Sequence, residues 1–207
     1  MTRPIIITGT DTDAGKTVFA AALTQALGAH YWKPVQAGLD GGSDAGTVTS
    51  LGIPADRVLA EAYRLTTPCS PHRAAAIDGV AIDLERLALP TVDGTLIVEG
   101  AGGALVPLAD DLLFADLFAR WRAPVVLVAR TALGTINHSL LTIEALRSRG
   151  LTILGVVFVG DAVEDSEATI ARIGRVRRIG RLPRIDPLDA GTLAAAIDAH
   201  LDLDALA

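Results

Sequence analysis

Residues 9–17 read Gly-Thr-Asp-Thr-Asp-Ala-Gly-Lys-Thr and lie between the apolar run 5–7 and the helix-like stretch 18–27. A strand, a glycine-bearing turn and a helix that begins at Gly-Lys-Thr are typical of a phosphate-binding loop. In such a loop, backbone N–H groups and the helix dipole hold phosphates, the Lys offsets their charge, and the Thr hydroxyl reaches Mg²⁺. The motif therefore predicts that Lys16 binds the β- and γ-phosphates and that Thr17 is a metal ligand.

The first glycine of this loop lies one position earlier than in the general phosphate-loop pattern. The general pattern of Gly, four residues and Gly-Lys-Ser/Thr would place a glycine where this chain has Thr10, and Gly9 comes one residue earlier. The strand before the loop and the helix after it nevertheless favour phosphate binding over a chance Gly-Lys-Thr.

Short apolar runs alternate with helical stretches along the chain. The predicted strands are Ile5–Thr8, His30–Pro34, Thr95–Val98, Val125–Ala129, Ile153–Val159 and Arg178–Leu182. The predicted helices are Lys16–Leu27, Asp44–Leu51, Leu84–Leu87, Leu112–Trp121, Ile136–Arg149, Ser166–Gly174 and Thr192–Leu201. Strands with nearly continuous apolar character suit a parallel sheet that is covered on both faces. We therefore predict an α/β fold of the P-loop NTPase type, a doubly wound, mostly parallel sheet with ligands at the carboxyl ends of its strands.

Length and composition limit the classes of function that remain. The 207 residues predict one domain, 1–207, in which the loop-rich segment 36–82 is an excursion with short helices over the active-site face. A net charge of −6 argues against nucleic-acid binding.

The single cysteine, Cys69, cannot form a disulfide within the chain, which fits a reducing compartment. Because the apolar runs are too short for a signal segment or a bilayer span, we expect a cytoplasmic protein with no membrane contact.

A single acid follows the third predicted strand. Glu99 comes directly after the apolar run 95–98 and directly before Gly100-Ala101-Gly102-Gly103. Nucleotide hydrolases and kinases place a second Mg²⁺ ligand at such a position, and the glycines let the backbone pass close to a ligand. The alternative is an acid that only caps a turn.

A second acid, Asp44, opens a predicted helix in the glycine-rich excursion. Taken alone, it is explained equally well as an N-cap residue. With Thr17 and Glu99 it would complete a set of three oxygen ligands, the kind of site that Mg²⁺ prefers while it keeps some of its waters. From the sequence alone, Asp44 is explained either as an N-cap residue or as a metal ligand.

The chain contains two lysines, Lys16 and Lys33, and all its other basic side chains apart from histidine are arginines. Lys33 ends the second predicted strand and is followed by Pro34, which fixes the exit of the chain. Arginine would serve equally well for solubility, so a retained ammonium group indicates a compact charge that is aimed at an anion.

Residues 131–138, Thr-Ala-Leu-Gly-Thr-Ile-Asn-His, lead into a long predicted helix. The first N–H groups of that helix could bind an anion such as a carboxylate. An ordinary capping turn built on Thr135 or Asn137 is the alternative.

Taken together, these motifs resemble the dethiobiotin synthetase family. The resemblance rests on the phosphate loop, Lys33-Pro34-Val35, Ser43-Asp44, Ser70-Pro71-His72, the Glu99–Gly103 segment and Leu133–His138, in the family's order. The early first glycine is itself a feature of that family's loop. A weaker match at Gly180-Arg181-Leu182-Pro183 extends the likeness over nearly the whole chain.

The resemblance implies a homodimeric, ATP- and Mg²⁺-dependent ligase of biotin biosynthesis. Such an enzyme carboxylates 7,8-diaminopelargonic acid with CO₂, phosphorylates the carbamate from ATP and closes the urea ring of dethiobiotin, through a carbamic-phosphoric anhydride. Lys16 and Lys33 would be catalytic, and the metal ligands would be Thr17, Asp44 and Glu99. Nucleotide contacts are implied for Asp13, Ala14, Gly15, Lys16, Thr17, Val18, Asp44, Glu99, Gly100, Ala101, Gly102, Gly160, Pro183, Arg184 and Ile185. Substrate contacts are implied for Thr12, Lys33, Ala37, Gly134, Thr135, Ile136 and Asn137, the last four receiving the substrate carboxylate across the subunit interface.

Two positions depart from the family's pattern. Gln36-Ala37 stands where the family often has a serine near the substrate, so that hydroxyl contact is absent. Gly160 stands where the family often has an asparagine that reads the adenine base. Loss of that amide would remove about 1–3 kcal/mol of discrimination, so we expect weaker selectivity among nucleoside triphosphates.

Two other functions compete with the ligase. A related amidotransferase-like synthetase would normally carry a glutaminase domain with a nucleophilic Cys, for which 207 residues leave no room. A partitioning or septum-positioning ATPase would carry an additional lysine early in the loop, where this chain has Gly9-Thr10-Asp11-Thr12. Its membrane- or DNA-binding versions need a basic tail or patch, whereas residues 198–207 are acidic.

Overall fold

The computed structural model describes residues 1–206, in which eleven strands and seven α-helices alternate. The strands are β1 (Thr2–Gly9), β2 (His30–Trp32), β3 (Val35–Ala37), β4 (Val58–Leu59), β5 (Tyr63–Leu65), β6 (Gly94–Gly103), β7 (Pro107–Ala109), β8 (Leu112–Leu113), β9 (Val125–Arg130), β10 (Ile153–Val159) and β11 (Arg178–Leu182). The helices are α1 (Lys16–Ala26), α2 (Asp44–Ser50), α3 (Pro71–Asp78), α4 (Phe114–Trp121), α5 (Thr135–Arg147), α6 (Glu164–Gly174) and α7 (Ala190–His200).

The centre of the molecule is a seven-stranded parallel sheet in the order β11-β10-β9-β1-β6-β2-β4. Its two faces are covered by different helices, since successive side chains of a strand point to opposite faces. In β1, Ile5 and Ile7 pack with residues of α1, α2 and α7, whereas Ile6 packs on the other face. That other face is covered by α3 to α6. The prediction of a doubly wound parallel sheet with helices on both faces is therefore confirmed.

The segment 36–82 contains more strand than the sequence predicted. Within it, β4 adds a seventh strand to the edge of the central sheet, and β5 pairs with β3 in a small parallel sheet. The predicted strand His30–Pro34 ends at Trp32, because Pro34 has no N–H to continue the ladder. Strands of two or three residues carry too little periodicity to be recognised in a sequence.

Two predicted helices also differ from the structure. The helix predicted over Leu112–Trp121 begins at Phe114, because Leu112 and Leu113 pair with β7 in an antiparallel hairpin. The segment Leu84–Leu87 is a 3₁₀ helix, and α3 was not predicted at all.

Of the helices within residues 1–206, none is long and apolar enough to cross a membrane.

Candidate active site

The phosphate loop connects β1 to α1 and leaves the start of that helix open. Gly15 is the N-cap residue with a φ of 90°, and neither a side-chain cap nor an acidic first-turn residue blocks the helix end. The first intrahelical hydrogen bond runs from the N–H of Phe19 to the carbonyl of Gly15, at 3.0 Å. The three preceding N–H groups have no acceptor within the helix and point outward, as an anion site requires.

The early glycine of the loop has a steric reason. A Cβ at Gly9 would lie 2.8 Å from the carbonyl oxygen of Asp11 and 3.1 Å from Nζ of Lys16. The Lys16 ammonium donates a hydrogen bond to that same carbonyl, at 2.8 Å. Gly9 thus makes room for the lysine side chain that folds back over the loop.

The pKa values of Lys16 and Lys33 shift in opposite directions. Lys16 is 7% exposed, and burial, followed by the positive charge of Lys33, lowers the pKa of Lys16 below its ordinary value. For Lys33, burial acts to lower the pKa, but the carboxylates of Glu99 and Asp44 outweigh it and raise that pKa above its ordinary value. Lys33 is therefore a buried group that stays charged.

Strand register brings Lys33 beside Glu99. Trp32 of β2 is paired with Val98 of β6, so the residues that follow each of them meet at the same edge of the sheet. The ammonium group of Lys33 lies 3.0 Å from Oε1 of Glu99 and also forms an ion pair with Asp44. It lies 3.4 Å from the carbonyl oxygen of Gly100.

Glu99 is fully buried, and three side chains contact its carboxylate. Oε1 accepts hydrogen bonds from Oγ1 of Thr17, at 2.8 Å, and from Lys33. Oε2 accepts a hydrogen bond from the hydroxyl of Tyr31, at 2.7 Å. Burial, followed by the charge of Glu99, raises the pKa of Tyr31 well above its ordinary value. Glu99 is thus an interior carboxylate within β6 and does not cap a turn.

The structure excludes the N-cap interpretation of Asp44 and leaves its role as a metal ligand a prediction. Ser43, not Asp44, is the N-cap residue of α2, and its hydroxyl accepts a hydrogen bond from the N–H of Gly46, at 3.1 Å. The N–H of Asp44 donates to Oε1 of Gln36, at 3.0 Å. Because the backbone of Asp44 is held in this way, its carboxylate is free to face Lys33.

The residues predicted to bind a metal lie close to the ammonium group of Lys33. They are Thr17, Asp44 and Glu99. The ammonium of Lys33 contacts both carboxylates, and one carboxylate oxygen also accepts from Thr17. Two carboxylates and one hydroxyl are hard oxygen donors that suit Mg²⁺ and leave coordination positions for phosphate and water. Within residues 1–206 no cluster of three His, Cys, Asp or Glu side chains is arranged to hold a metal.

These groups line a cleft of about 640 Å³ above the carboxyl ends of the central strands. Its lining residues are Thr12, Asp13, Gly15, Lys16, Thr17, Val18, Lys33, Gln36, Ala37, Asp44, Pro68, Cys69, Ser70, Pro71, Glu99, Ala101, Gly102 and Val106. Most of the predicted phosphate, metal and diamine contacts are therefore neighbours in space. Ala14 differs, because its side chain is packed into the core below the loop.

Sequence reasoning assigned no function to several residues of this site. Tyr31 donates a hydrogen bond to Glu99, and Gln36 accepts one from the backbone N–H of Asp44. Val106 and residues 68–71 form part of the cleft wall. The only sequence signal for the wall was the Ser70-Pro71 pair in the family motif. No sequence motif indicated a function for Tyr31, because its hydrogen-bond partner Glu99 is 68 residues away along the chain.

The four residues predicted to receive the substrate carboxylate lie elsewhere. Gly134 is the N-cap residue of α5, with a φ of 93°, and carries no side-chain cap. Thr135 is buried, and its hydroxyl has no hydrogen-bond partner among the described residues. Gly134, Thr135, Ile136 and Asn137 do not belong to the lining of the cleft in this chain.

The predicted base-side residues follow β10 and β11, also outside the cleft lining. Gly160 has a φ of 125°, and its N–H donates to the carbonyl of Leu182, at 3.0 Å. A Cβ at this position would lie 2.6 Å from Oγ1 of Thr131. Pro183, Arg184 and Ile185 continue from β11, and Arg184 lies 3.4 Å from an exposed carboxylate of Asp161.

Curated relatives match the chain over nearly its full length. A dethiobiotin synthetase described as ATP-dependent, from Rhizorhabdus wittichii, is 67% identical over 200 residues, which are 96% of each chain. A protein of the same description from Novosphingobium aromaticivorans is 66% identical over 192 residues, 92% of this chain and 93% of that one. A family model described as an AAA domain matches residues 3–192.

Solved structures with the same fold share far less sequence. The MinC:MinD cell division complex of Aquifex aeolicus gives a TM-score of 0.56 at 15% identity, over 94% of this chain and 86% of that one. The septum site-determining protein MinD of Pyrococcus horikoshii gives 0.54 at 16% identity, over 99% and 89%. At these identities the likeness shows the fold alone.

Proposed function

The chain belongs to the ATP-dependent dethiobiotin synthetase family, and from this premise we propose that it makes dethiobiotin from 7,8-diaminopelargonic acid, CO₂ and a nucleoside triphosphate. We also expect the enzyme to work in the cytoplasm. The observation that carries the proposal is the cluster of Lys33, Asp44, Glu99 and Thr17 beside the open start of α1, in which Lys33 and Glu99 are buried. The identity of 66–67% to curated dethiobiotin synthetases favours this choice over the switch-ATPase alternative.

The reaction that we propose has three steps. One amine of the substrate adds to CO₂, loses a proton and becomes a carbamate. A carbamate oxygen then attacks the γ-phosphorus of ATP, the bond to ADP breaks, and a carbamic-phosphoric anhydride forms. The second amine finally attacks the carbamoyl carbon, phosphate leaves, a proton is released and the urea ring closes.

The second step brings two anions together, so positive charge must hold them in line. The two ammonium groups available are those of Lys16 and Lys33, both of which line the cleft. In our proposal Lys16 and the open N–H groups of residues 13–18 hold the triphosphate, while Lys33 orients the carbamate and stabilises charge on the transferring phosphoryl group. Mg²⁺, held by Thr17, Asp44 and Glu99, would neutralise phosphate charge when bound.

A coupled assay tests the proposed reaction. With bicarbonate and Mg·ATP, we expect ADP release to require diaminopelargonic acid and to match dethiobiotin formation, measured by mass spectrometry, in a one-to-one ratio. The matched control omits only the diamine. ADP release that ignores the diamine would contradict the proposal and support a switch ATPase.

We propose that the active enzyme is a homodimer in which the start of α5 of one subunit binds the substrate carboxylate held by the other. The open N-cap at Gly134 and the unpaired, buried hydroxyl of Thr135 support an anion site there. These residues do not line the cleft of their own chain, which is consistent with their binding a substrate held in the cleft of a second subunit. A monomer mass for the active enzyme in sedimentation would contradict this arrangement.

We predict comparable kcat/KM values for ATP and CTP, because Gly160 offers no amide to read the base. The substitution Gly160→Asn should fail to create an ATP preference, since a φ of 125° and a contact of 2.6 Å with Thr131 leave no strain-free place for a side chain. Both values are to be measured by ADP or CDP release. A strong ATP preference of the unmodified enzyme would show that other groups read the base.

A further inference from the structure

Tyr31 lies on β2, two residues before Lys33, which lines the cleft. Its side chain is fully buried, and its hydroxyl lies 2.7 Å from Oε2 of Glu99, which is itself fully buried. The tyrosine is paired across the sheet with Ile97 of β6, two residues before Glu99. Both ends of this hydrogen bond are therefore fixed by the register of one pair of strands.

The two oxygens of Glu99 have separate partners. Oε1 contacts Thr17 and Lys33, which both line the cleft, whereas Oε2 contacts Tyr31, which is fully buried. A hydrogen bond from a neutral hydroxyl to a carboxylate is strong when both groups are removed from water. The contact with Tyr31 opposes rotation of the carboxylate and keeps one chosen oxygen directed at the cleft.

We infer that Tyr31 is a positioning residue for the metal site: its hydroxyl holds Glu99 so that Oε1 alone is presented to the cation that accompanies the nucleotide. This inference rests on the proposed function, in which Glu99 is a metal ligand. Partners of this kind, which do not touch the metal, orient its ligands and typically affect metal affinity when they are removed.

A purely structural role is the alternative, because a buried tyrosine must satisfy its hydroxyl somewhere. Tyr63 is the matched comparison within this chain. It is 4% exposed, and its hydroxyl accepts a hydrogen bond from the N–H of Asp83, at 2.7 Å, outside the cleft lining. The Tyr63 hydroxyl also donates a hydrogen bond to the carbonyl of Asp83, at 3.4 Å. Removing either hydroxyl therefore deletes hydrogen bonding of a buried tyrosine, but only that of Tyr31 contacts a proposed metal ligand.

The test compares Tyr31→Phe with Tyr63→Phe in full-length protein. Binding of a fluorescent ATP analogue is titrated with Mg²⁺, and is measured again with EDTA present. We expect Tyr31→Phe to weaken the apparent Mg²⁺ affinity by about 10–100-fold and to leave metal-free nucleotide binding unchanged. Tyr63→Phe should change neither quantity.

A double-mutant cycle with Glu99→Gln completes the test. If Tyr31 acts through Glu99, the effect of Tyr31→Phe on Mg²⁺ affinity should disappear in the Glu99→Gln background. Unchanged Mg²⁺ affinity in Tyr31→Phe, or effects that simply add in the double variant, would overturn the inference. Because the readout is binding and not turnover, absence of dethiobiotin formation by the unmodified enzyme would contradict the proposed function and leave this result standing.

Discussion

The substitution Lys33→Met is expected to lower kcat by about 10²–10³-fold, which corresponds to about 2.7–4 kcal/mol, the typical effect of removing one group that stabilises developing charge. Lys33 is 3% exposed and stays positively charged between Glu99 and Asp44. A desolvated ammonium group in this position acts more strongly on a transferring phosphoryl group than an exposed one would. The measurement is dethiobiotin formation at saturating substrates.

The control is Arg177→Met, which removes a cation that pairs with the exposed Asp202, far along the chain from the cleft residues. Its kcat should match that of the unmodified enzyme, since exposed ion pairs contribute little. An unchanged kcat in Lys33→Met would remove Lys33 from the chemistry and would leave Lys16 as the only ammonium group at the site.

The second large effect concerns stability. Lys33→Met should lower the free energy of unfolding of the ligand-free protein by about 3–5 kcal/mol, because breaking a buried ion pair leaves a carboxylate without its counter-charge. Glu99 is fully buried and would keep only the hydrogen bonds from Thr17 and Tyr31. Urea unfolding without nucleotide or metal measures this difference.

The double variant Lys33→Met/Glu99→Gln separates stability from catalysis. Glutamine keeps the shape of Glu99 without its charge, so most of the lost stability should return, while kcat should stay low. An equal loss of stability in the single and double variants would show that Lys33 does not act by neutralising Glu99. The two residues are in contact, so their effects are expected to be non-additive.

The parts of the site that were predictable from sequence are those set by short-range geometry. Gly15, Lys16 and Thr17 are contiguous, and a strand, a tight turn and a helix start fix their arrangement almost without help from the rest of the chain. Lys33 and Glu99 were recognisable because each follows the end of an apolar run. In a parallel sheet such ends meet at one edge.

Other features depended on how distant segments pack. From the sequence, Asp44 could be a helix cap or a metal ligand. The structure excludes the cap, because Ser43 is the N-cap residue of α2, and the metal ligand stays a prediction. The short strands β3, β4 and β5 were missed because each has only two or three residues. The base-side residues and the proposed dimer site stay predictions.

The phosphate loop, the parallel α/β fold and the family could be predicted from the sequence alone, because each is expressed in contiguous motifs and in the periodicity of apolar residues. The contacts of Tyr31 and Lys33 with opposite oxygens of Glu99 could not be predicted in this way. Those contacts join residues 68 and 66 positions apart. They exist because the register between β2 and β6 brings them together in a buried place, where an unpaired charge or hydroxyl would be costly.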